Sequence, residues 1–414
     1  MANQDDMKAI LEGAEAPVTD ECCIYRVPSD IRKLNHDAYS PKVVSIGPFH
    51  HNSHSRLQNM ERHKLLYCKA FLERTQTSLD NWIRYIEDVE PDFRRCYSDT
   101  LKFSKKELVD IILVDSGFIF ELFCRFFSDT WSRDDRFLKT HLVFTNIGHD
   151  LCLLENQLPF FVLECLFNLS FASTSSGISF LELTFRYFDY FNKSKLIFNN
   201  NTSIIHFTDL VRTFHLQHPL NRRPSRTNRY VKHFPSATEL LEAGVSFKVN
   251  THSKCLLDFR FSGGVLQIPQ LEVYDGTEIF LRNMIAFELC HYPYESYITD
   301  YAKVLDLLIN TSRDVDVLVR KNVLVNWLGD NSSVANLFNG LLTNVVKGDD
   351  NSHYLTICQD LNAFCKNPWN NLKSSLRQDY CKSPWQTAAT IAGIVLLILS
   401  IIQTVCSVLQ VIPQ

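Results

Sequence analysis

The last 32 residues, Ser383–Gln414, contain no Asp, Glu, Lys or Arg. Their centre, TAATIAGIVLLILSIIQTVCSVLQV, holds an uncharged, mainly apolar run from Thr387 to Leu409, with Gln403 its most polar member. Such a run is long enough to cross a hydrocarbon layer about 30 Å thick as a slightly tilted helix. In lipid a helix satisfies its own backbone polar groups, and this one has no charged side chain to carry in. The alternative is a buried core helix, but a core helix this long ordinarily shows a polar face, and none is visible here. Thr387, Ala388, Gly393, Leu397, Ile401 and Leu409 are therefore the expected membrane-spanning positions. Trp385 just precedes the run, where an aromatic ring suits the headgroup layer.

The flanks suggest an orientation. Lys366, Lys373, Arg377 and Lys382 lie on the N-terminal side, and residues 410–414 carry no positive charge. The excess of basic residues on one side places the large N-terminal part in the cytosol, at the plasma membrane or an endomembrane. The acidic leader, residues 1–21, has no apolar core and does not read as a secretory signal. Six N-x-Ser/Thr sequons, at Asn168, Asn192, Asn200, Asn201, Asn310 and Asn331, point the other way. Tripeptides of this kind also arise by chance in a chain rich in Asn, Ser and Thr.

Residues 22–346 read as one large, mainly α domain with a small β-hairpin or sheet element. Leu57–Thr75 repeats apolar residues at helical spacing. Residues 78–96 predict a second helix interrupted by Pro91. Ser104-Lys-Lys-Glu107 is a capping box ahead of an almost wholly apolar helix, and Ser236 with Glu239 forms another. Residues 150–172 predict two helical pieces joined at Pro159, followed by an amphipathic helix over 180–191. Residues 192–203 read as a loop, and 206–216 as a short helix. Period-two alternation about Gly263-Gly264 places the β element near 255–275. Residues 347–386 predict a helical juxtamembrane region.

Charge and composition narrow the chemistry. The net charge is -4, which supplies no bulk field for nucleic acid. The main basic cluster, Arg222, Arg223, Arg226 and Arg229, falls in a Pro-containing loop near 217–233 and suits an anionic partner or lipid surface. The 13 cysteines include no C-x-x-C pair and read as reduced core thiols. His50, His51 and His54, with His63 nearby, lack an acidic or thiolate ligand at diagnostic spacing, so no metal is expected. Gly263-Gly264 matches neither phosphate-binding pattern, and adjacency alone does not make Cys290-His291 a catalytic pair. Asp115, Glu121, Asp150 and Glu155 lie in or beside apolar runs. They are expected to be paired, the alternative being raised-pKa acids in a cleft. No cofactor motif is present, and the chain is expected not to be an enzyme. The rival readings are a membrane-tethered enzyme using a carboxylate or Cys–His site, and a lipid-surface adaptor.

Several runs, taken in order, carry a family resemblance. They are YRVPSDIRKLNHDAYSPKVVSIGPFHH (25–51), MERHKLLYCKAFL (60–72), ILVDSGFIFELF (112–123), DLCLLENQLPFFVLECL (150–166), SATELLEAGVSFK (236–248), LLDFRFSGGVLQIPQLEV (256–273), RNMIAFELC (282–290) and DYAKVLDLLINTSRDVDVL (300–318). With the terminal Pro-Trp and apolar helix, they closely resemble the plant family called domain of unknown function 247, or uncharacterised protein family 0481. The resemblance implies a plant protein with a C-terminal transmembrane helix and no agreed catalytic residues. Certain grass members resemble determinants of pollen–pistil self-incompatibility, which implies recognition or signalling through an unknown protein partner. This sequence departs at Ser116-Gly117, where Gly-Cys is common, and at Lys382-Ser383-Pro384-Trp385, which lacks the usual Phe.

Overall fold

A computed structural model describes residues 19–131, 135, 138, 140–171, 178–197, 199, 203–216, 224–227, 233–345, 350–375 and 384–411. The helices in chain order are α1 (Ser29–Arg32), α2 (Ser55–Thr75), α3 (Leu79–Arg95), α4 (Lys105–Ser128), α5 (His141–Asp150), α6 (Phe160–Phe171), α7 (Phe180–Tyr187), α8 (Phe207–His215), α9 (Ala237–Glu242), α10 (Thr277–His291), α11 (Tyr297–Leu308), α12 (Ser312–Arg320), α13 (Asn331–Leu341), α14 (Ser352–Lys366), α15 (Pro368–Ser375) and α16 (Pro384–Val411). The strands are β1 (Arg226–Thr227), β2 (Ser246–Val249), β3 (Arg260–Ser262), β4 (Val265–Ile268), β5 (Leu271–Val273), β6 (Leu324–Asn326) and β7 (Asp350–Asn351). The fold is mainly helical with small sheets and one long C-terminal apolar helix, as expected.

Helix α4 starts where its capping box dictates. The Ser104 hydroxyl accepts from the Glu107 amide at 3.3 Å, and the Glu107 carboxylate accepts the Ser104 amide at 2.7 Å. Its middle, from Leu108 to Phe123, is almost entirely buried, so its neighbours cover it on all sides. Part of the chain's store of 30 phenylalanines is used here. Phe120 meets Phe71 of α2 at 5.2 Å, Trp82 of α3 at 5.7 Å and Phe180 of α7 at 5.0 Å between ring centroids. Edge-on and tilted ring pairs of this kind add about 0.5–1.5 kcal/mol each beyond the area they bury. The one polar atom of Trp82 is satisfied by donation to the Ser170 hydroxyl at 3.0 Å.

Two expectations are corrected. Helix α3 runs through Pro91 without a break. The missing N–H forfeits one ladder bond, but Trp82, Ile86 and Phe93, on either side of it, are fully buried and hold both halves on one axis. Conversely, the stretch after Asp150 is not helical: α5 ends at Asp150, and residues 151–159 run as turns and coil until α6 begins at Phe160. Apolar density alone predicted a helix there, and side-chain hydrogen bonds overrule it.

The hairpin forms where expected. Strands β3 and β4 pair antiparallel, with Ser262 opposite Val265. Gly263 and Gly264 make the two-residue turn at φ of 57° and 77°, backbone space that non-glycine residues rarely enter. Strand β2 then adds to the other edge of β4 in parallel, a pairing that local patterning did not reveal. Helix α14 packs on this sheet. Tyr354 donates its hydroxyl to the Leu257 carbonyl at 2.9 Å, and Phe364 meets Phe261 edge-on at 5.8 Å.

Helices α2 and α4 approach closely at Gly117. A Cβ built there would lie 2.4 Å from the Cys68 sulfur and 2.8 Å from the Cys68 Cα, a backbone atom that cannot swing aside. Helices α2 and α4 meet at this separation because position 117 has no side chain. Gly117→Val is expected to destabilise the fold by about 1–3 kcal/mol through overpacking, read as a lowered thermal unfolding midpoint of the full chain. An unchanged midpoint would contradict the close approach.

Candidate functional site

The four carboxylates singled out in the sequence are buried, and each is engaged by the scaffold. Asp115 on α4 bonds the Lys64 ammonium at 2.5 Å and accepts the Gly47 amide at 2.7 Å. Glu121, one turn and a half further on, takes Arg74 through two bonds of 2.8 and 3.0 Å and Arg125 at 2.7 Å. Arg125 also reaches Asp135, which receives the Tyr67 hydroxyl at 2.5 Å.

Asp150, Glu155, Asn156 and Gln157 form a clamp on the N-terminal segment. Asp150 accepts the amides of Lys42, Val43 and Val44 at 2.7–2.9 Å. Burial pushes its carboxyl up to about 7 against the pull of those three donors. Asn156 accepts the Ile46 amide at 2.8 Å and donates to the carbonyls of Val44 and Asp150. Gln157 donates to the Leu151 and Leu153 carbonyls and accepts the Phe207 amide at 2.9 Å. Glu155 accepts the Val27 amide at 2.6 Å and pairs with Arg26 at 3.1 Å, with Arg32 and with His50 at 3.4 Å. Burial pushes the Glu155 carboxyl up, but His50, Arg32 and the Val27 amide outweigh it and hold it at about 2. These groups brace the protein against itself; none of the four lines the cavity described below.

The histidines divide. His50 is buried against Glu155, His51 meets the Phe103 ring edge-on, and His54 is the residue just before α2, its side chain making no capping hydrogen bond. Among the described residues no group of three His, Cys, Asp or Glu is placed to hold a metal ion. At the end of α10, His291 exchanges a hydrogen bond with the Tyr25 hydroxyl at 2.9 Å, while burial pushes the Cys290 thiol up to about 11. The neighbours are thus a neutral thiol and an imidazole tied to another residue. Sequence reading missed Glu288, which is fully buried and holds Arg212 at 2.9 Å together with the amides of Ile298 and Thr299.

A cavity of about 690 Å³ opens between α10, α11, the segment after α7 and the turns around β2 and β5. Its floor is apolar: Leu257, Leu271, Phe280, Met284 and Ile298 are all buried. Lys193, Lys195 and Lys254 stand among its lining residues with Asp189 and Glu272. Sequence reading did not find this site, because its walls come from separate stretches between Asp189 and Tyr301, and no local pattern joins them.

The apolar C-terminal helix α16 runs from Pro384 to Val411. Within it, Ala388–Ser407 is 20 residues long, apolar enough to cross a membrane, and wholly unburied. Ala388, Gly393, Leu397 and Ile401 fall inside that window, while Thr387 and Leu409 lie in the helix just beyond it. Of the basic cluster, Arg222, Arg223 and Arg229 lie outside the described residues; Arg226 contributes its backbone to β1, opposite Asn351.

The Glu155 cluster yields a pH signature. A carboxyl held below its ordinary 4.5 stabilises the fold above that pH and loses the contribution as pH falls from about 4.5 to about 2. Glu155→Gln is expected to cost about 3 kcal/mol, the lower end for a broken buried pair, because Arg26 remains 42% exposed to solvent. It is also expected to flatten the acid limb of stability against pH. Denaturant titrations at pH 7 and pH 3 check both, and an acid limb unchanged in the variant would contradict the assignment.

Residues 24–399 match the family described as DUF247, plant protein of unknown function. The chain is 28% identical to the UPF0481 protein At3g47200 of Arabidopsis thaliana, over 96% of this chain and 88% of that relative. It is 23% identical to a second UPF0481 protein of the same plant, At3g02645, over 92% of this chain and 89% of the relative. No solved structure matches. The match spans the helical body, the hairpin and most of the apolar helix, and the chain belongs to the plant family DUF247.

Proposed function

We propose that this chain is a single-pass membrane protein whose folded part faces the cytosol, at the plasma membrane or an endomembrane, and acts by recognising a protein partner without catalysis. The observation that carries this is α16. Ile394, Leu397 and Ile401 are each more than half exposed, and no residue of the 20-residue window is covered by protein. In water that face would be a large apolar patch of a kind soluble surfaces rarely carry. In lipid it is at home. Lys366, Lys373, Arg377 and Lys382 on its N-terminal side support the cytosolic orientation. The non-catalytic reading is supported by the use made of the buried carboxylates: Asp115, Glu121, Asp150 and Glu155 are bonded to lysine, arginine or backbone amides, away from the cavity.

Full-length protein expressed in plant cells is expected to sediment with membranes and resist alkaline carbonate extraction. Ile394→Arg with Leu397→Arg is expected to move it to the supernatant, since each central arginine costs about 2.5–3.5 kcal/mol of insertion. Wild-type protein in the high-speed supernatant without detergent would overturn membrane attachment. Protease digestion of sealed vesicles reads orientation: the body is expected to be cleaved without opening the membrane. Substrate turnover by the full chain, abolished by one point substitution, would overturn the non-catalytic part.

A further inference from the structure

None of Asp115, Glu121, Asp150 and Glu155, whose bonds brace the fold, lines the 690 Å³ cavity. Its size falls within the roughly 300–1,000 Å³ of small-molecule sites, and such sites are mostly apolar with a few placed polar groups. The floor has that character: Leu257, Leu271, Phe280, Met284 and Ile298 present buried hydrocarbon and aromatic surface.

The charges among the lining residues decide the ligand class. Lys195 pairs with Asp189 at 3.0 Å and Lys193 pairs with Glu272 at 3.6 Å, so these four groups compensate one another. Lys254 is exposed and lines the same cavity, and among the described residues it makes no ion pair. His215, also in the wall, bonds the Val211 carbonyl through Nδ1, and burial lowers its pKa, so it adds no charge at neutral pH. The lining thus carries one uncompensated positive charge beside a deep apolar floor.

We infer that this cavity binds a small molecule with a long apolar chain and a single anionic head, the chain lying on the Leu257–Met284 floor and the head pairing with Lys254. A free long-chain carboxylate and a singly charged phospholipid share this chemistry. The inference does not depend on how the protein reaches a membrane.

Site-resolved photolabelling of the full chain in phosphatidylcholine nanodiscs tests it. A diazirine-bearing hexadecanoic acid is cross-linked and the adduct mapped by peptide mass spectrometry, so that labelling of α16 by bilayer partitioning is read separately. Label is expected on peptides bearing Leu257, Leu271 or Met284. It should be competed by excess palmitate and not by hexadecanol. Lys254→Glu is expected to lower it about threefold to fivefold, the effect of an exposed ion pair. Leu256→Trp, at a half-buried wall position that a larger ring would fill, is expected to remove most of it. In a parallel arm, diazirine-bearing phosphatidylglycerol replaces the free acid, and the probe that labels the cavity identifies the source of the chain. Label confined to α16 with both probes would overturn the inference, as would cavity label indifferent to Lys254→Glu or equally competed by hexadecanol. Thermal unfolding of each variant confirms that a loss of label is not a loss of fold.

Discussion

The fold depends on how the segment 42–47 is held inside the protein. Val44 and Ile46 are fully buried, yet their stretch is neither helix nor strand. Backbone amides in such a place must find acceptors or forfeit about 1–3 kcal/mol apiece. Asp150 takes three of them, Asn156 takes the Ile46 amide and Asp115 takes that of Gly47. Asp150 closes α5, and the irregular stretch that follows it, 151–159, adds the Asn156 acceptor and is itself tied by Gln157. The interior segment 42–47 is thus satisfied by side chains of α4, α5 and the coil that follows α5. The cations that neutralise Glu155 come from α1 and its preceding turn, which fastens the N-terminal end of the fold to the same point.

This explains which parts of the structure were legible in the sequence. The capping box before α4, the glycine pair of the β3–β4 hairpin and the apolar length of α16 are local signals: each names its own structure within a few residues. The stretch after Asp150 is different. By apolar density it reads as helix, but Glu155 and Asn156 bond distant backbone, and Gln157 ties the Leu151 and Leu153 carbonyls, in place of continuing the α5 ladder. That choice depends on partners more than 100 positions away in the chain. The same holds for β2, whose parallel partner lies beyond an intervening strand, and for Pro91, where packing of Trp82 and Phe93 overrides the usual helix break. At the carboxylates the sequence raised the right residues and left two readings open; the structure shows all four bonded to cations or backbone amides, with burial also raising the Asp150 carboxyl.

The runs that identify the family coincide with this bracing. SDIR brings Arg32, SIGPFHH brings Gly47 and His50, LVDSG brings Asp115 and Gly117, and DLCLLENQLPFF brings the whole clamp. Their side chains face other parts of the same protein, and each has a structural reason for its identity. Gly117 is a case in point for this chain: at the departure to Ser-Gly it puts a residue without a side chain where Cys68 leaves no room for one. Family likeness of this kind transmits a scaffold. It says little about what the scaffold meets.

What distinguishes one such protein from another must then lie where the scaffold is not consuming its polar groups. Lys193 and Lys254 fall outside the family-identifying runs, in connecting segments that a rigid body holds in place. Segments of this type tolerate change and carry binding because their side chains bear no share of the packing. Of the cavity floor, Leu257, Leu271 and Met284 fall within those runs, and Phe280 and Ile298 just outside them. A buried apolar floor with charged groups on exposed connecting segments is an arrangement in which the apolar fit is fixed by the fold, while the charge at the mouth sets which head group enters. A substitution at the rim would then change the charge met by a head group without reshaping the core, since a packed wall feels even a one-methylene change and a surface lysine bears little on packing.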